Sequence, residues 1–310
     1  MTRISIAIHG GAGTILKSSF TNEQEAAYRK ALQKALHAGY TALEKKKTAV
    51  EAVELALIEL ENSPLFNAGK GSVFTNKGTH EMDASIMEGK DLNAGTITLV
   101  HNIKNPISLA KLVMEKSEHV MLGAEGAMEF AKRMECVFEE DNYFYDEYRH
   151  QQWLEAKESN VVQLDHTIIK NNKIGTTGAV ALDVFGNLAA GTSTGGVTNK
   201  KFGRIGDSPI IGSGTYANNH TCAISCTGTG EFFIRGVVAY DVSCLMEYKG
   251  LSLFNACNEV INNRLVKIGG DGGLIGVDTN GNIALSFNTE GMYRAYKQSD
   301  KSEVIAIYNE

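Results

Sequence analysis

The pattern of hydrophobic residues changes at Gly175, and this change limits the possible folds more than any other feature of the sequence. Before Gly175, apolar residues recur at helical spacing, as in the i, i+4 series that runs from Tyr28 to Tyr40. After it, short apolar runs alternate with glycine turns, which is typical of strands. A strand predicted over residues 3–8 would join those later strands. We therefore expect an α+β fold in which helices cover the sheets.

Helix start signals support this division. Thr21 or Asn22 can cap the first helix, and Thr48 with Glu51 forms a capping box for the second. A Gly/Asn-rich loop is expected over 62–80, strands over 83–87 and 95–100, and helices over 106–117 and 123–135. Beyond these, we expect one short helix and then a polar linker ending near Gly175.

Part of the second half repeats itself. Five residues of the segment from Asp183 to Thr194 recur about 95 positions later, from Asp278 to Thr289. Each copy predicts a strand, a Gly-Asn turn and a second strand, which together make a hairpin. Two copies are too few for a solenoid, so we expect two similar hairpins in one or two sheets.

Charge and composition exclude several functional classes. The chain has 310 residues, with 30 Lys plus Arg against 36 Asp plus Glu, giving a net charge of −6. It therefore lacks the basic surface of a nucleic-acid-binding protein. No apolar run approaches the length needed to span a membrane, and the start does not resemble a signal peptide. The five cysteines are an odd number without a CxxC pair, which favours reduced thiols and a cytoplasmic location.

The glycine-rich segments allow more than one chemistry. The stretch from His9 to Gly13 does not fit the dinucleotide-binding pattern, so nucleotide binding is not expected. Gly191-Thr192-Ser193-Thr194-Gly195 matches the serine hydrolase pattern G-x-S-x-G, with Asp207 and His220 as possible partners of Ser193. No helical pattern follows this segment, however, and a structural serine is the alternative.

Gly175-Thr176-Thr177 offers a different nucleophile. An amino-terminal threonine carries its own base, the α-amine, which exists only after the preceding peptide bond is cut. A polar linker over about 155–175 would let the new chain end move away. The alternative is an ordinary threonine in a strand, and Thr177 is a second candidate nucleophile.

Several ordered segments together resemble the plant-type (type III) L-asparaginase and isoaspartyl peptidase family of N-terminal-nucleophile hydrolases. The resemblance covers nearly the whole chain. The segments that carry it are His9–Gly13, Pro64–Gly69, Glu81–Ala84, Gly175–Asp183, Thr192–Gly196, Gly203–Pro209 and Thr227–Glu231. It implies a four-layer αββα sandwich formed by a single domain, 1–310. It also implies self-processing into subunits 1–175 and 176–310, which assemble as an (αβ)₂ heterotetramer. No organic cofactor is implied.

The resemblance also assigns catalytic roles. It implies that autocleavage of the Gly175–Thr176 bond frees Thr176 as the nucleophile, which Thr194 positions by a hydrogen bond. Thr227 and Gly228 would stabilise the oxyanion and contact the substrate. The implied activity is hydrolysis of β-aspartyl (isoaspartyl) peptides and L-asparagine, with release of L-aspartate.

Substrate binding is assigned to a second group. By resemblance, Arg204 would hold the substrate α-carboxylate and Asp207 its α-ammonium, with Gly230 beside them. One cation and one anion suit an amino acid, which presents both charges. The alternative is a surface ion pair at i, i+3 spacing.

The family's cation loop matches residues 60–70. The resemblance implies that backbone carbonyls here hold a structural sodium ion, at Leu60, Glu61, Ser63, Phe66, Ala68 and Lys70. The alternative is an ordinary loop at a helix end. For His9, both a contact with the cleavage site and a structural role remain open.

Two other functions remain possible. A glycosylasparaginase would share the threonine nucleophile and the Arg/Asp pair, although the absent signal peptide and the His9–Gly13 opening argue against it. An unprocessed protein that only binds amino acids or peptides would keep Arg204 and Asp207 without turnover. Assays on glycoasparagines and on the intact chain separate these from the main hypothesis.

Overall fold

Two sheets form the centre of the computed structural model, which describes residues 3–159, 175–299 and 301–309. The larger sheet is antiparallel except for the β3–β4 pair. In spatial order it contains β12 (Val304–Tyr308), β11 (Gly291–Gln298), β1 (Ser5–Gly13), β5 (Thr177–Leu182), β6 (Leu188–Thr194), β2 (Met82–Glu88), β3 (Ala94–Val100) and β4 (Met121–Gly123).

The smaller sheet is fully antiparallel. Its order is β10 (Ile283–Phe287), β9 (Gly272–Asp278), β8 (Cys222–Gly228) and β7 (Thr215–Ala217). Apolar side chains from both sheets meet in one buried cluster that includes Val180, Leu188, Ile224 and Leu274. The sheets therefore pack face to face, burying the apolar side chains that point between them.

Helices cover the outer faces of both sheets. Those packed on the larger sheet are α1 (Asn22–Glu44), α2 (Ala49–Glu61), α3 (Pro106–Lys116) and α4 (Ala124–Arg133). Two further helices follow them, α5 (Asp141–Phe144) and α6 (Glu147–Glu158). The smaller sheet packs against α7 (Gly230–Gly236), α8 (Val238–Lys249) and α9 (Leu253–Asn258), which continues as a π-helical segment, Glu259–Leu265. The expected mixture of helices and sheets is confirmed.

The predicted helix starts are confirmed. Thr21 is the cap of α1, and its side chain accepts from the backbone nitrogen of Gln24, so Asn22 is the first helical residue. Thr48 and Glu51 form the predicted capping box of α2. The strands and helices expected between 83 and 135 are present, with ends that differ by one or two residues.

The internal repeat corresponds to two similar hairpins, one in each sheet. Asp183 Oδ1 accepts from the backbone nitrogens of Phe185 and Asn187, both at 2.9 Å. Asp278 Oδ1 accepts in the same way from Asn280 and Asn282, also at 2.9 Å. Each repeated aspartate therefore fastens the tight turn of its hairpin.

Three expectations need correction. The first strand is longer than residues 3–8, because the glycine segment continues β1 to Gly13 and pairs with β11 through a bulge between His9 and Gly11. Helices occupy most of 230–265, within the half of the chain where short strands and glycine turns were expected. The linker cannot start at 155, since α6 extends to Glu158, and its residues 160–174 lie outside the described residues.

Two other findings bear on the composition argument. Within the ranges that the structure describes, no helix is both long and apolar enough to cross a membrane. All five cysteines lie within these ranges and are unpaired, and three of them are buried. The expectation of free thiols is confirmed.

Candidate active site

Thr176 lies immediately before β5, beside the end of β6. Its Oγ1 donates a hydrogen bond to Thr194 Oγ1 at 3.0 Å and lies 3.4 Å from Ser208 Oγ. Thr194 Oγ1 also accepts from the backbone nitrogen of Gly196 at 3.0 Å. The structure thus brings together the two threonines that the resemblance assigned as nucleophile and positioning residue.

Thr177 and Ser193 point away from this cluster, because successive strand residues face opposite sides of a sheet. Thr177 is fully buried, and its Oγ1 donates to the carbonyl oxygen of Ser193 at 3.0 Å. Ser193 Oγ donates to Glu61 Oε1 at 2.6 Å, and His220 is exposed elsewhere. The serine hydrolase interpretation is therefore wrong, since Ser193 is buried, is hydrogen-bonded to Glu61, and faces away from the cleft that contains Asp207.

His9 is completely buried behind Thr176. Its Nδ1 lies 3.0 Å from the carbonyl oxygen of Thr176, and its Nε2 lies 3.0 Å from Ser225 Oγ. Burial lowers the pKa of His9 to about 3, so the ring is neutral. A carbonyl can only accept, so Nδ1 carries the hydrogen and Nε2 accepts from Ser225. His9 thereby fixes the main chain that bears the threonine.

Gly11 and Gly175 touch backbone to backbone. A Cβ at Gly11 would lie 2.4 Å from the nitrogen of Gly175, and Gly11 also has a positive φ of 113°. Thr227 Oγ1 lies 2.8 Å from where a Cβ of Gly175 would be, the Gly11 Cα lies 3.1 Å from the same point, and Thr227 Oγ1 accepts from the nitrogen of Ala12 at 3.3 Å. Only glycine fits at either position.

A narrow cleft of about 30 Å³ opens at Thr176, with room for about one water molecule. Gly175 itself forms part of its wall. The remaining lining residues come from five separate segments: Ala12; Asn67 and Val73; Thr176, Thr194 and Gly196–Thr198; Arg204 and Gly206–Ser208; and Gly228.

Arg204 and Asp207 lie together in the wall of this cleft. Asp207 is only 3% exposed, and its Oδ2 has no hydrogen-bond partner within the described part of the chain. Burial raises the pKa of Asp207 to about 7, and the Arg204 charge opposes that rise. The ion-pair partner of Arg204 is Glu231, not Asp207. The alternative of a surface pair at i, i+3 spacing is therefore wrong.

Two glycines make room for these charged groups. A Cβ at Gly230 would lie 2.9 Å from both Arg204 Nη2 and Asp207 Oδ1. A Cβ at Gly206 would lie 2.8 Å from Arg204 Nη1. Gly230, which the resemblance placed in the substrate site, thus touches both members of the pair.

The predicted cation loop folds back onto the end of α2. A Cβ at Gly69 would lie 2.6 Å from the carbonyl oxygen of Glu61. The ammonium of Lys70 lies over the ring of Tyr143, 4.9 Å from its centre. Among the described residues, no cluster of His, Cys, Asp or Glu could hold a metal ion. The Phe66 and Ala68 carbonyls each accept one backbone hydrogen bond and retain a second lone pair, whereas the Leu60 carbonyl accepts from both Asn62 and Ser63.

Sequence reasoning gave no role to two residues of the site. Asn67 Nδ2 donates to the carbonyl of Gly196 at 2.7 Å, and its Oδ1 accepts from the nitrogen of Val73 at 3.1 Å. It therefore joins the predicted cation loop to the cleft. Ser208 Oγ lies 3.4 Å from Thr176 Oγ1. Both lie inside segments that carried the family resemblance, and this position is the feature of the sequence that could have identified them as site residues.

Comparison with known proteins identifies the family. The family model described as "Asparaginase" matches residues 2–307. The isoaspartyl peptidase of Escherichia coli is 49% identical over 315 residues, covering 100% of this chain and 98% of that protein. The isoaspartyl peptidase of Salmonella typhimurium is 48% identical with both chains fully covered. The plant-type L-asparaginase of Pyrococcus horikoshii is 42% identical, covering 97% and 98%. The chain therefore belongs to the family of isoaspartyl peptidases and plant-type L-asparaginases.

Proposed function

We propose that this protein is a self-cleaving threonine hydrolase that releases L-aspartate from β-aspartyl peptides and from L-asparagine. The observation that carries the proposal is the placement of Thr176 Oγ1 in the same cleft as Arg204 and the unpartnered carboxylate of Asp207. The nucleophile and the binding site for the α-amino and α-carboxylate groups would then lie in one cleft, so that one small substrate could reach both.

The first step is cleavage of the chain itself. The Thr176 hydroxyl attacks the carbonyl carbon of Gly175, its oxygen replaces the peptide nitrogen, and an ester forms. Water hydrolyses the ester, leaving the Gly175 carboxylate and a free Thr176 amine. His9 holds the Thr176 carbonyl through this change. Gly175 forms part of the wall of the narrow cleft, so its departure would enlarge the space for substrate.

The mature site would use the new amine as its base. The amine takes the proton of the Thr176 hydroxyl, whose oxygen attacks the side-chain amide carbon of the substrate. Thr227 and Gly228 stabilise the resulting oxyanion. The amine then gives the proton to the leaving nitrogen, and water releases aspartate from the ester. Once the amine holds the Thr176 hydroxyl proton, Thr194 can donate its own hydroxyl hydrogen to the attacking Thr176 oxygen, which lies 3.0 Å away.

Recognition follows from the charges in the cleft wall. The α-ammonium of the substrate would donate to Asp207 Oδ2, which has no partner among the described residues. The α-carboxylate of the substrate would accept hydrogen bonds from Arg204. Both groups are more buried than exposed, and water competes weakly there, so each contact is strong.

The larger architecture is also part of the proposal. Helices outside two facing sheets support a four-layer αββα sandwich cut into subunits 1–175 and 176–310. We further propose an (αβ)₂ assembly, which light scattering of the processed protein would test.

A structural sodium ion would be held by carbonyls of residues 60–70, where the Phe66 and Ala68 carbonyls each have a lone pair available and the Lys70 ammonium lies over Tyr143. It would stiffen the loop that carries Asn67. A higher melting temperature in sodium chloride than in choline chloride supports the ion.

Processing gives the direct test of the nucleophile. Intact-mass analysis and amino-terminal sequencing should find a fragment beginning at Thr176. The Thr176→Ala variant should remain one chain, whereas the shape-conserving Thr177→Val control should be cut normally. Normal cutting in Thr176→Ala would refute the assignment.

Activity gives the second test. The processed protein should release aspartate from L-asparagine and from a β-aspartyl dipeptide. Absence of release from both substrates by a fully processed sample would reject the proposed function.

A further inference from the structure

Glu231 contacts Arg204 at two points. Glu231 Oε1 accepts from Nε at 2.8 Å, and Oε2 accepts from Nη2 at 2.9 Å. Such a paired contact fixes the plane of the guanidinium as well as its position. The Glu231 side chain is 53% exposed, whereas that of Arg204 is 17% exposed. Glu231 thus approaches the arginine from the solvent side.

The other edge of the guanidinium faces the cleft. Nη1 lies beside Gly206, which lines the cleft together with Arg204, whereas Glu231 is not among the lining residues. Nη1 makes no hydrogen bond within the described ranges. A carboxylate in the cleft would therefore accept hydrogen bonds from Nη1 and from the second hydrogen of Nη2. Glu231 would stay bound to Nε and to the first hydrogen of Nη2.

We propose that Glu231 is a positioning residue that gives the site its selectivity for a free α-carboxylate. It does so by holding Arg204 with its unoccupied edge turned into the cleft. This inference rests on the proposed function, because it concerns the substrate head group of that same site.

The balance of charge and entropy supports positioning. An arginine side chain is long and flexible, and it loses conformational entropy when two of its nitrogens bind one carboxylate. Glu231 restricts the Arg204 side chain before the substrate binds, so less entropy is lost on binding. Glu231 binds the same guanidinium as the substrate α-carboxylate would, so its charge opposes that contact, but the Glu231 side chain is 53% exposed and water screens the repulsion. Orientation of Arg204 is the effect of Glu231 that favours binding.

The opposite role would be competition, in which the substrate displaces Glu231 from Arg204. The two roles predict opposite changes. Loss of a positioning residue raises KM for a substrate with a free α-carboxylate, whereas loss of a competitor lowers it.

The experiment compares L-asparagine with L-asparagine amide, whose α-carboxylate is replaced by a carboxamide. Both substrates are assayed with the processed wild type, Glu231→Ala and Glu231→Gln. In Glu231→Ala we expect the preference for the carboxylate to fall about tenfold, mainly through KM. Glu231→Gln keeps one acceptor oxygen, so its preference should lie between the other two.

A matched control lies in the same half of the chain. Arg264 Nη1 contacts both oxygens of Asp241, at 2.7 and 2.9 Å, away from the cleft. Asp241→Asn weakens another partly exposed arginine–carboxylate contact, in which the Arg264 side chain is 37% and that of Asp241 22% exposed, and it should leave the preference at its wild-type value. Melting temperatures of all variants show whether each is folded.

A binding measurement separates this inference from the proposed function. Calorimetry with L-aspartate should show weaker binding by Glu231→Ala than by the wild type, even if the wild type lacks turnover. Equal losses on both substrates, an unchanged preference, or a lower KM for L-asparagine would each overturn the inference. In all three cases the hydrolase function would stand, since turnover by the wild type is measured in the same assay.

Discussion

Glu61 and Asp207 are both buried carboxyl groups with raised pKa values, and they lie in different regions of the molecule. Glu61 ends α2 beneath the outer face of the larger sheet, whereas Asp207 lies in the wall of the cleft. Burial raises the pKa of Glu61 to about 8 and that of Asp207 to about 7. By this measure the two groups are nearly alike.

Their hydrogen-bond partners differ. Glu61 Oε1 accepts from Ser193 Oγ at 2.6 Å and from the nitrogen of Ile107 at 2.9 Å, and its Oε2 accepts from Asn105 Nδ2 at 3.2 Å. Asp207 Oδ2 has no partner within the described part of the chain. A raised pKa therefore marks burial in both places, and only the unpartnered oxygen indicates a place for a ligand.

The largest expected effect is the loss of activity in Asp207→Asn. The amide cannot offer a negative charge to the substrate ammonium, so kcat/KM for L-asparagine should fall about a thousandfold. The melting temperature should stay the same or rise, because an unpartnered buried carboxylate is removed. Steady-state assays and thermal unfolding measure the two quantities. Activity within tenfold of the wild type would contradict the role given to Asp207.

Glu61→Ala should reduce stability most. It leaves the donors of Ser193, Asn105 and Ile107 buried without an acceptor and opens a cavity, at a cost of about 3 kcal/mol in the free energy of unfolding. Urea denaturation of the processed protein measures this quantity. A loss below about 1 kcal/mol would show that these donors find other partners.

Glu61 should also make stability depend on pH. Its pKa is about 8 in the folded chain and has the ordinary value of 4.5 in the unfolded chain, so the folded chain holds the extra proton between these limits. The stabilisation that protonated Glu61 gives to the folded chain is complete below pH 4.5 and is lost as the pH rises to about 8. The slope there approaches about 1.4 kcal/mol per pH unit. Glu61→Gln mimics the protonated group, so wild type and variant should converge at low pH and separate as pH rises; parallel curves would contradict this.

Ser193→Ala should have the smallest effect. It removes one hydrogen bond to Glu61, which should cost about 1 kcal/mol of stability. Because Ser193 faces away from Thr176, kcat/KM should stay within about twofold of the wild type. A large loss of activity without unfolding would reopen the serine interpretation.

The sequence predicted those parts of the protein that depend on neighbouring residues. Thr48 and Glu51 are three positions apart, so the capping box was visible in the sequence. The hairpin turns at Asp183 and Asp278 were predicted for the same reason. The helices within 230–265 were missed, although their buried residues recur at helical spacing, as in Leu253, Ala256 and Val260.

The sequence by itself determined the chemistry that is available: a glycine followed by two threonines, and an arginine three residues before an aspartate. Only the tertiary structure decided that Thr176 faces the cleft while Thr177 faces the opposite side of the sheet. It also paired Glu61 with Ser193, 132 positions away, and Arg204 with Glu231 rather than with Asp207. The physical reason is that burial and hydrogen bonding depend on which distant segments pack together, and local sequence does not specify that packing.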